Sequence, residues 1–178
     1  MSDVAKEYGA ALYQLAGEDG IEDQLLDETR TAAAVFKENP AYLSLLSSPD
    51  LSKEERSDAV QKAFAGAHRY LTNFFSMTVE RGYSRDIPDC LDEYLRLYRE
   101  DHGIAVAKIV SARPLSDGEK QKLIAALERR YAVTVEPVYT VEPALIGGMK
   151  VEISGTLLDG SVRRRLDGVK ADLSTLTL

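Results

Sequence analysis

The spacing of apolar residues changes near Gly103, and this change limits the folds open to the 178-residue chain. Before Gly103, apolar residues recur every three or four positions, which is the period of an amphipathic helix. After Gly103, apolar and polar residues alternate over several stretches, which is the period of a half-buried strand. A chain of this length forms one domain or two small ones. We therefore predict a helical domain over residues 1–103 and a mixed domain over residues 104–178.

Six short helices are predicted in the first domain. Pro40 and Pro49 mark the ends of two segments, because the residue before a proline avoids the helical conformation. Ser52, with Glu55 three residues later, is a capping box that begins the fourth helix. The fifth helix is the most apolar, and its stripe contains Ala67, Tyr70, Leu71, Phe74, Phe75, Thr78 and Val79. Short helices joined by short connections favour a compact six-helix bundle.

Strands and helices are both predicted in the second domain. The stretch IAVAKIVSA indicates a strand, and Ser116 with Glu119 is a second capping box that begins a helix. Alternation then predicts two more strands, containing Val133, Val135, Pro137, Tyr139 and Val141 and then Met149, Val151 and Ile153; helical spacing returns at Val162, Leu166, Val169 and Leu173. The order strand–helix–strand–strand–helix predicts a small α/β sandwich, with a helix pair over the buried face of one sheet. The predicted class of the whole chain is α+β.

A glycine- and arginine-rich stretch near the C-terminus suggests a phosphate site at first sight. A phosphate loop needs glycines that lead into a helix, whereas Gly147 and Gly148 precede a predicted strand. We interpret them as a tight turn, where glycine tolerates a positive φ. Residues 159–161 are interpreted as a turn into the last helix. The three arginines at 163–165 would follow one another at steps of about 100° around that helix, so they cannot all face one ligand. A solvated helix face is favoured, with a docking site for an acidic partner as the alternative.

Several classes of site and segment are disfavoured by composition. The net charge of −7 argues against nucleic acid as the main partner, since phosphate neutralisation needs a basic footprint. The beginning of the chain has no basic region before an apolar one, so we expect no signal peptide, and no run is long enough to span a bilayer. Cys90, His68 and His102 have no metal-ligand spacing. A Cys–His nucleophile pair is less favoured than an unreactive thiol.

Charge is distributed unevenly between the two predicted domains. Residues 1–103 carry 11 Lys and Arg against 20 Asp and Glu, a net charge of −9. Residues 104–178 carry 11 against 9, a net charge of +2. The two domains are therefore expected to face different partners.

Three stretches resemble segments of one known family. EYGAALYQLA resembles the Tyr-Ala-x-Ala-Leu-x-x-Leu-Ala opening of the delta subunit of bacterial F-type ATP synthase, the counterpart of the mitochondrial oligomycin-sensitivity-conferring protein; Gly9 stands where that family usually has alanine. ERGYSRDIPDCLDEYLRL resembles its Asn-Gly-Arg-Leu-x-x-Leu-Pro segment, with Tyr83 in place of the arginine and Ser84 in place of the leucine. PALIGGMKVEISGTLLDGSVRRRLDGV resembles its C-terminal signature of Gly-Gly, a strand and Asp-Gly-Ser-x-Arg. The resemblance covers the whole chain.

This resemblance implies a stator subunit without catalytic residues, metal or cofactor. In that family the N-terminal six-helix bundle sits on the catalytic head and receives the N-terminal segments of alpha subunits in a groove between its first and fifth helices. In this chain the implied groove residues are Tyr8, Ala11, Leu12, Leu15, Phe74, Phe75 and Thr78. Periodicity alone leaves open which faces of the two helices form the groove and which form the core.

The C-terminal domain is implied to meet the b subunits of the peripheral stalk. Its signature residues are expected to be structural parts of this stalk-facing domain, and they are Gly147, Gly148, Asp159, Gly160, Ser161 and Arg163. The implied partners are alpha and b subunits, with beta subunits as a further contact, and no nucleic acid. The implied location is the cytoplasmic side of a bacterial cell membrane, reached only through the complex. There the subunit would hold the head against rotor torque, coupling rotation to ATP synthesis and to proton or sodium transport.

The sequence leaves two other classes of function open. One is a helical-bundle adaptor or regulator with an appended α/β domain, in one version linked to RNA. The net charge of −9 in residues 1–103 counts against RNA. The other is a small phosphotransfer or thiol enzyme, for which the chain has neither a phosphate loop nor a histidine close to its cysteine in sequence.

Overall fold

A computed structural model describes residues 2–160 of the chain. The chain divides after Asp101 into two compact units, close to the boundary predicted at residue 103. Seven α-helices and one four-stranded sheet are present in the described residues, so the α+β class is confirmed. Six of these helices precede residue 102 and the seventh belongs to the second unit. Whether each unit folds independently stays a prediction.

The first unit is entirely helical. Its α-helices are α1 (Asp3–Glu18), α2 (Glu22–Glu38), α3 (Pro40–Leu46), α4 (Lys53–Ala63), α5 (Arg69–Glu80) and α6 (Ile87–Asp101), with a 3-10 turn at Ser84–Asp86. The capping box predicted at Ser52 and Glu55 is confirmed. The Glu55 backbone N–H donates to the Ser52 hydroxyl at 3.1 Å, and the Ser52 backbone N–H donates to the Glu55 carboxylate at 2.9 Å. None of the helices in the described part of the chain is long and apolar enough to cross a membrane.

Aromatic rings fill the centre of the first unit. Phe36 and Phe75 are fully buried, and their ring centroids lie 5.4 Å apart in an edge-on contact. Phe64 stacks on Phe36 at 5.3 Å and meets Phe75 at 4.7 Å. Each fully buried side chain of this size stabilises the fold by roughly 1.5–3 kcal/mol through burial alone. Aromatic rings from α2, from α5 and from Phe64, which follows α4, therefore pack together in this core.

Helices α1 and α6 approach each other closely at Gly9. A Cβ atom built on Gly9 would lie 2.4 Å from the Cys90 carbonyl oxygen and 2.7 Å from the Glu93 Cβ. Neither backbone nor Cβ can move without shifting a helix. This close contact is a physical reason for glycine at position 9, where the family that the chain resembles usually has alanine.

The second unit is a sheet with one described helix. Its elements are β1 (Ile104–Ser111), α7 (Asp117–Tyr131), β2 (Thr134–Val141), β3 (Met149–Ile153) and β4 (Thr156–Asp159). The strand order is β2-β1-β3-β4; β1 pairs parallel to β2, and the other pairs are antiparallel. The capping box predicted at Ser116 and Glu119 is confirmed at the start of α7. The buried cluster consists of Ala107, Ile109, Leu127, Val135, Val151 and Ile153.

One short strand of the second unit was not predicted. The predicted order contains no strand between Ile153 and the last helix, whereas residues 156–159 form β4. Ser154 and Gly155 both have positive φ, 48° and 75°, which is the geometry of a two-residue hairpin turn. The hairpin was missed because β4 is only four residues long. The predicted last helix, with Val162, Leu166, Val169 and Leu173, lies outside the described residues.

Candidate functional site

A groove with a cavity volume of about 530 Å³ runs between α1 and α5. The two helices are antiparallel along it, because Arg81 contacts Tyr8 at one end and Tyr70 contacts Asp19 at the other. The lining residues are Glu7, Tyr8, Ala11, Leu12, Leu15, Tyr70, Asn73, Phe74, Met77 and Arg81. Spacings of three and four residues repeat along both helices, so each helix contributes one continuous face.

Apolar side chains line the groove, and two of them are exposed. Leu12 and Phe74 are buried at its floor, whereas Leu15 is 51% exposed and Met77 is 37% exposed on its walls. Single exposed apolar residues are common, but apolar residues gathered in one concave surface typically mark a binding site. The shape and chemistry suit the apolar face of another helix.

Five of the seven residues predicted for the groove line it. They are Tyr8, Ala11, Leu12, Leu15 and Phe74. Phe75 and Thr78 do not, because both are fully buried in the core. Phe75 lies one position, or 100° of helix rotation, beyond Phe74, and its ring packs against Phe36 and Phe64. The Thr78 hydroxyl donates a hydrogen bond to the Phe74 carbonyl oxygen inside α5.

Five lining residues were absent from the predicted set. They are Glu7, Tyr70, Asn73, Met77 and Arg81. Once Phe74 is placed on the groove face, helical spacing extends that face to Tyr70 and Asn73 on one side and to Met77 and Arg81 on the other. The helical spacing of these residues is visible in the sequence, but the spacing alone does not show which face of α5 is exposed.

The two ends of the groove differ in chemistry. At one end, the Arg81 Nη1 donates to the Tyr8 hydroxyl at 2.8 Å, and its guanidinium carbon lies 5.9 Å from the Tyr8 ring centroid. At the other end, the Tyr70 hydroxyl donates to the Asp19 carboxylate, a hydrogen bond that raises the pKa of Tyr70. The Arg69 guanidinium carbon also lies at this second end, 5.3 Å from the Tyr70 ring centroid, so among the described residues only the Arg81 end has a cation that lines the groove.

The C-terminal signature residues have structural positions where they are described. Gly147 and Gly148 form the turn before β3; Gly148 has a φ of +79°, which favours glycine. Asp159 ends β4, and the Gly160 N–H donates to the Met149 carbonyl oxygen at 3.0 Å. Ser161 and Arg163 lie outside the described residues. The assignment of these residues to a stalk-facing domain stays a prediction.

Cys90 has the environment of a structural thiol. Its side chain is fully buried in α6, and burial raises the pKa of the thiol to about 12. A thiol with this pKa is protonated at neutral pH and is a poor nucleophile. Within residues 2–160, no cluster of three or more His, Cys, Asp or Glu side chains is arranged to hold a metal ion.

Comparison with known proteins gives a consistent result over nearly the whole chain. A family model described as ATP synthase delta (OSCP) subunit matches residues 4–173. A protein named ATP synthase subunit delta from Geobacillus sp. (strain WCH70) is 34% identical over 171 residues, covering 96% of each chain. The protein of the same name from Anoxybacillus flavithermus is 32% identical over 172 residues, covering 96% of this chain and 97% of that one.

A solved structure has the same fold. It is a chain of the Toxoplasma gondii mitochondrial ATP synthase hexamer, determined by cryo-electron microscopy. The TM-score is 0.75 with 18% sequence identity, and the match covers 97% of this chain and 98% of that one. At 18% identity, this structural similarity supports a shared fold and nothing further.

Proposed function

Because the chain belongs to the ATP synthase delta (OSCP) subunit family, we propose that it joins the catalytic head of an F-type ATP synthase to the b subunits of the peripheral stalk. The chain is a non-catalytic stator component and a peripheral part of a membrane-bound complex. Because the chain belongs to this family, we no longer consider the adaptor and enzyme alternatives that the sequence left open.

The first unit binds the head through the α1–α5 groove. Its occupant is the amphipathic N-terminal helix of an alpha subunit, laid lengthwise against the apolar floor. From Tyr70 to Arg81 the α5 wall is about 16 Å long, which accommodates roughly three turns of a bound helix. Such a helix presents apolar residues at i, i+3 or i+4, and i+7 to the groove. The exposed Leu15 and Met77 supply the apolar contact area.

The second unit binds the b subunits, and beta subunits provide a further contact to the head. Its sequence carries a net charge of +2 over residues 104–178, against −9 over residues 1–103, which favours different partners for the two units. Two contacts carried on one chain raise the effective affinity of each for the assembled complex. The subunit acts on the cytoplasmic side of a bacterial membrane.

The function is mechanical. A rotary enzyme makes ATP only if its catalytic head resists the torque of the central rotor, so the link between head and stalk needs affinity and stiffness. A packed helical core beneath the groove supplies stiffness, since protein interiors have low compressibility. No reactive side chain is needed for this role.

The exposed apolar surface of the groove carries the proposal, and a binding experiment tests it. A fluorescent synthetic peptide of the alpha-subunit N-terminus from the same organism is titrated with the full chain. Leu15→Asp is expected to weaken binding by at least about 30-fold, because a carboxylate would be buried without a partner. Leu45→Asp is the matched control: Leu45 is 46% exposed on α3 and does not line the groove. Equal affinities for the two variants would contradict the groove assignment.

A further inference from the structure

We propose that Arg81 determines which helix the groove accepts, by binding a side-chain carboxylate of the docked helix. The inference rests on the proposed function and adds to it the chemistry and the direction of the partner. It predicts an amphipathic helix with an apolar face along the groove and an aspartate or glutamate at the end that lies over Arg81.

The guanidinium of Arg81 is held in place before any partner arrives. Arg81 follows the last residue of α5, at the mouth of the groove. Its Nη1 donates to the Tyr8 hydroxyl at 2.8 Å, and its guanidinium carbon lies 5.9 Å from the Tyr8 ring centroid. The edge of the Tyr83 ring packs against Tyr8 with centroids 5.7 Å apart. This arrangement lowers the conformational entropy that a bound carboxylate would have to remove from the arginine side chain.

Most of the hydrogen-bonding capacity of Arg81 is unused. A guanidinium has five N–H donors, and the described contacts of Arg81 use one nitrogen. Glu7 lines the groove, and Glu54 and Glu80 border the polar surface next to Arg81. Within residues 2–160, none of these three carboxylates forms an ion pair with Arg81. An oriented guanidinium with unused donors is suited to a carboxylate, which it can bind through two parallel hydrogen bonds.

Arg81 is the one cationic side chain among the described residues that line the groove. The lining of the same groove includes the apolar residues Leu15, Phe74 and Met77. A helix laid on them would remove water from one side of the guanidinium, which strengthens its attraction to a carboxylate. Glu7 also lines the groove, but no described hydrogen bond or ion pair fixes its side chain.

The opposite end of the groove makes the recognition directional. There the Tyr70 hydroxyl donates to the Asp19 carboxylate, and the Arg69 guanidinium carbon lies 5.3 Å from the Tyr70 ring centroid, but neither Asp19 nor Arg69 lines the groove. A helix with an acidic residue at one end is therefore favoured in the direction that places this residue over Arg81.

The first test compares two arginine variants of the full chain. The same alpha-subunit peptide is titrated at low and at physiological ionic strength. Arg81→Gln is expected to weaken binding about tenfold at low salt and to reduce the dependence of affinity on salt. Arg85→Gln makes the identical substitution at an exposed arginine outside the groove, and it is expected to bind as the unmodified chain does. Circular dichroism confirms that each variant is folded.

The second test locates the carboxylate. Each aspartate or glutamate of the peptide is replaced by its amide, and every peptide is titrated against the unmodified chain and against Arg81→Gln. One replacement is expected to weaken binding to the unmodified chain about tenfold while changing binding to Arg81→Gln by less than about twofold, the pattern of directly coupled residues.

The results separate this inference from the proposal beneath it. If Leu15→Asp abolishes binding while Arg81→Gln binds with unchanged affinity and salt dependence, the groove assignment stands and the role of Arg81 is refuted. The role of Arg81 is also refuted if, at every acidic position of the peptide, the amide replacement weakens binding equally for the unmodified chain and for Arg81→Gln. If neither Leu15→Asp nor Arg81→Gln weakens binding, the groove is not the binding site, and both proposals fail together.

Discussion

The two units expose apolar side chains in different settings. In the first unit, the exposed Leu15 of α1 and Met77 of α5 line one concave groove, together with the buried Leu12 and Phe74. Because the apolar surface there is continuous and concave, a helix can cover it without burying a charged group other than those at the ends. The groove therefore has the properties of a binding site rather than of an unfilled core.

In the second unit, two of the exposed apolar residues are separated by charges. Val138 and Leu157 lie in one row across the sheet, and strand register places Lys108 and Glu152 between them. These two form an ion pair at 3.7 Å. A partner covering this row would have to desolvate both charges. The continuous apolar surface of the groove is therefore suited to bind a helix, whereas this charged row of the sheet is not.

The largest expected effect separates core from groove within one helix. Phe75→Ala is expected to lower the free energy of unfolding of the first unit by about 3–5 kcal/mol, because it leaves a cavity beside Phe36 and Phe64. Met77→Ala, two residues away on the groove wall, is expected to cost no more than about 1 kcal/mol. Urea denaturation of the fragment 1–103, followed by circular dichroism, measures both values.

That fragment also tests the division of the chain. It is expected to be monomeric and strongly helical without the second unit, because its core is formed by its own helices. An unfolded or aggregated fragment would contradict the domain boundary, and equal losses for Phe75→Ala and Met77→Ala would contradict the distinction between core and groove.

A smaller effect is expected at the contact between α1 and α6. Gly9→Ala is expected to cost about 1–3 kcal/mol, since the new Cβ would overlap the Cys90 carbonyl oxygen and the two helices would have to separate. Gly17→Ala is the matched control, because nothing lies within 4 Å of a Cβ at that position of α1. Alanine there is expected to be neutral or to stabilise by up to about 1 kcal/mol. Chemical denaturation measures the free energy of unfolding of both variants. Equal changes in this free energy would contradict a close contact between α1 and α6.

The smallest expected effect is on alkaline stability of the first unit. Burial is the main cause that raises the pKa of Tyr13 to about 12, and its hydrogen bond to Asp101 is the second. For Tyr98, the hydrogen bond to Asp23 is the main cause that raises the pKa to about 12. Because the folded pKa exceeds the unfolded value of about 10, both groups stabilise the fold fully below pH 10 and progressively less as pH rises towards 12. The urea midpoint of fragment 1–103 is expected to fall between pH 9.5 and pH 11.

Tyr98→Phe is the variant that checks this interpretation. Without the phenol, one of the groups whose pKa is raised in the folded protein is lost, so the urea midpoint is expected to depend less steeply on pH above 10. An identical pH dependence in the two proteins would show that Tyr98 does not contribute.

The sequence predicts features governed by local interactions. The capping boxes at Ser52 and Ser116 depend on residues three positions apart, and both were found where the sequence places them. The alternation in β1, β2 and β3 likewise reflects a period of two that needs no knowledge of the partner strand. The change of period after Gly103 is visible in the same way.

Features set by distant residues were not predictable in this way. Phe74 and Phe75 are equally apolar, and only the position of α1 and α2 decides that one lines the groove while the other fills the core. Gly9 gave no signal of the α6 backbone beside it, 81 residues away at Cys90. Arg81 belongs to the groove because Tyr8 holds it there, and that contact joins residues 73 positions apart.

The central claim is that the α1–α5 groove holds the N-terminal helix of an alpha subunit in the assembled enzyme. A photo-crosslinking amino acid at Met77, on the groove wall, tests it directly in ATP synthase purified from native membranes, with the same residue at Leu45 as the control outside the groove. We expect irradiation to join the Met77 position to the first residues of an alpha subunit, identified by mass spectrometry, and the Leu45 position to give no such product. Crosslinks from Met77 to b or beta subunits alone, in an enzyme that still contains this chain, would contradict the account.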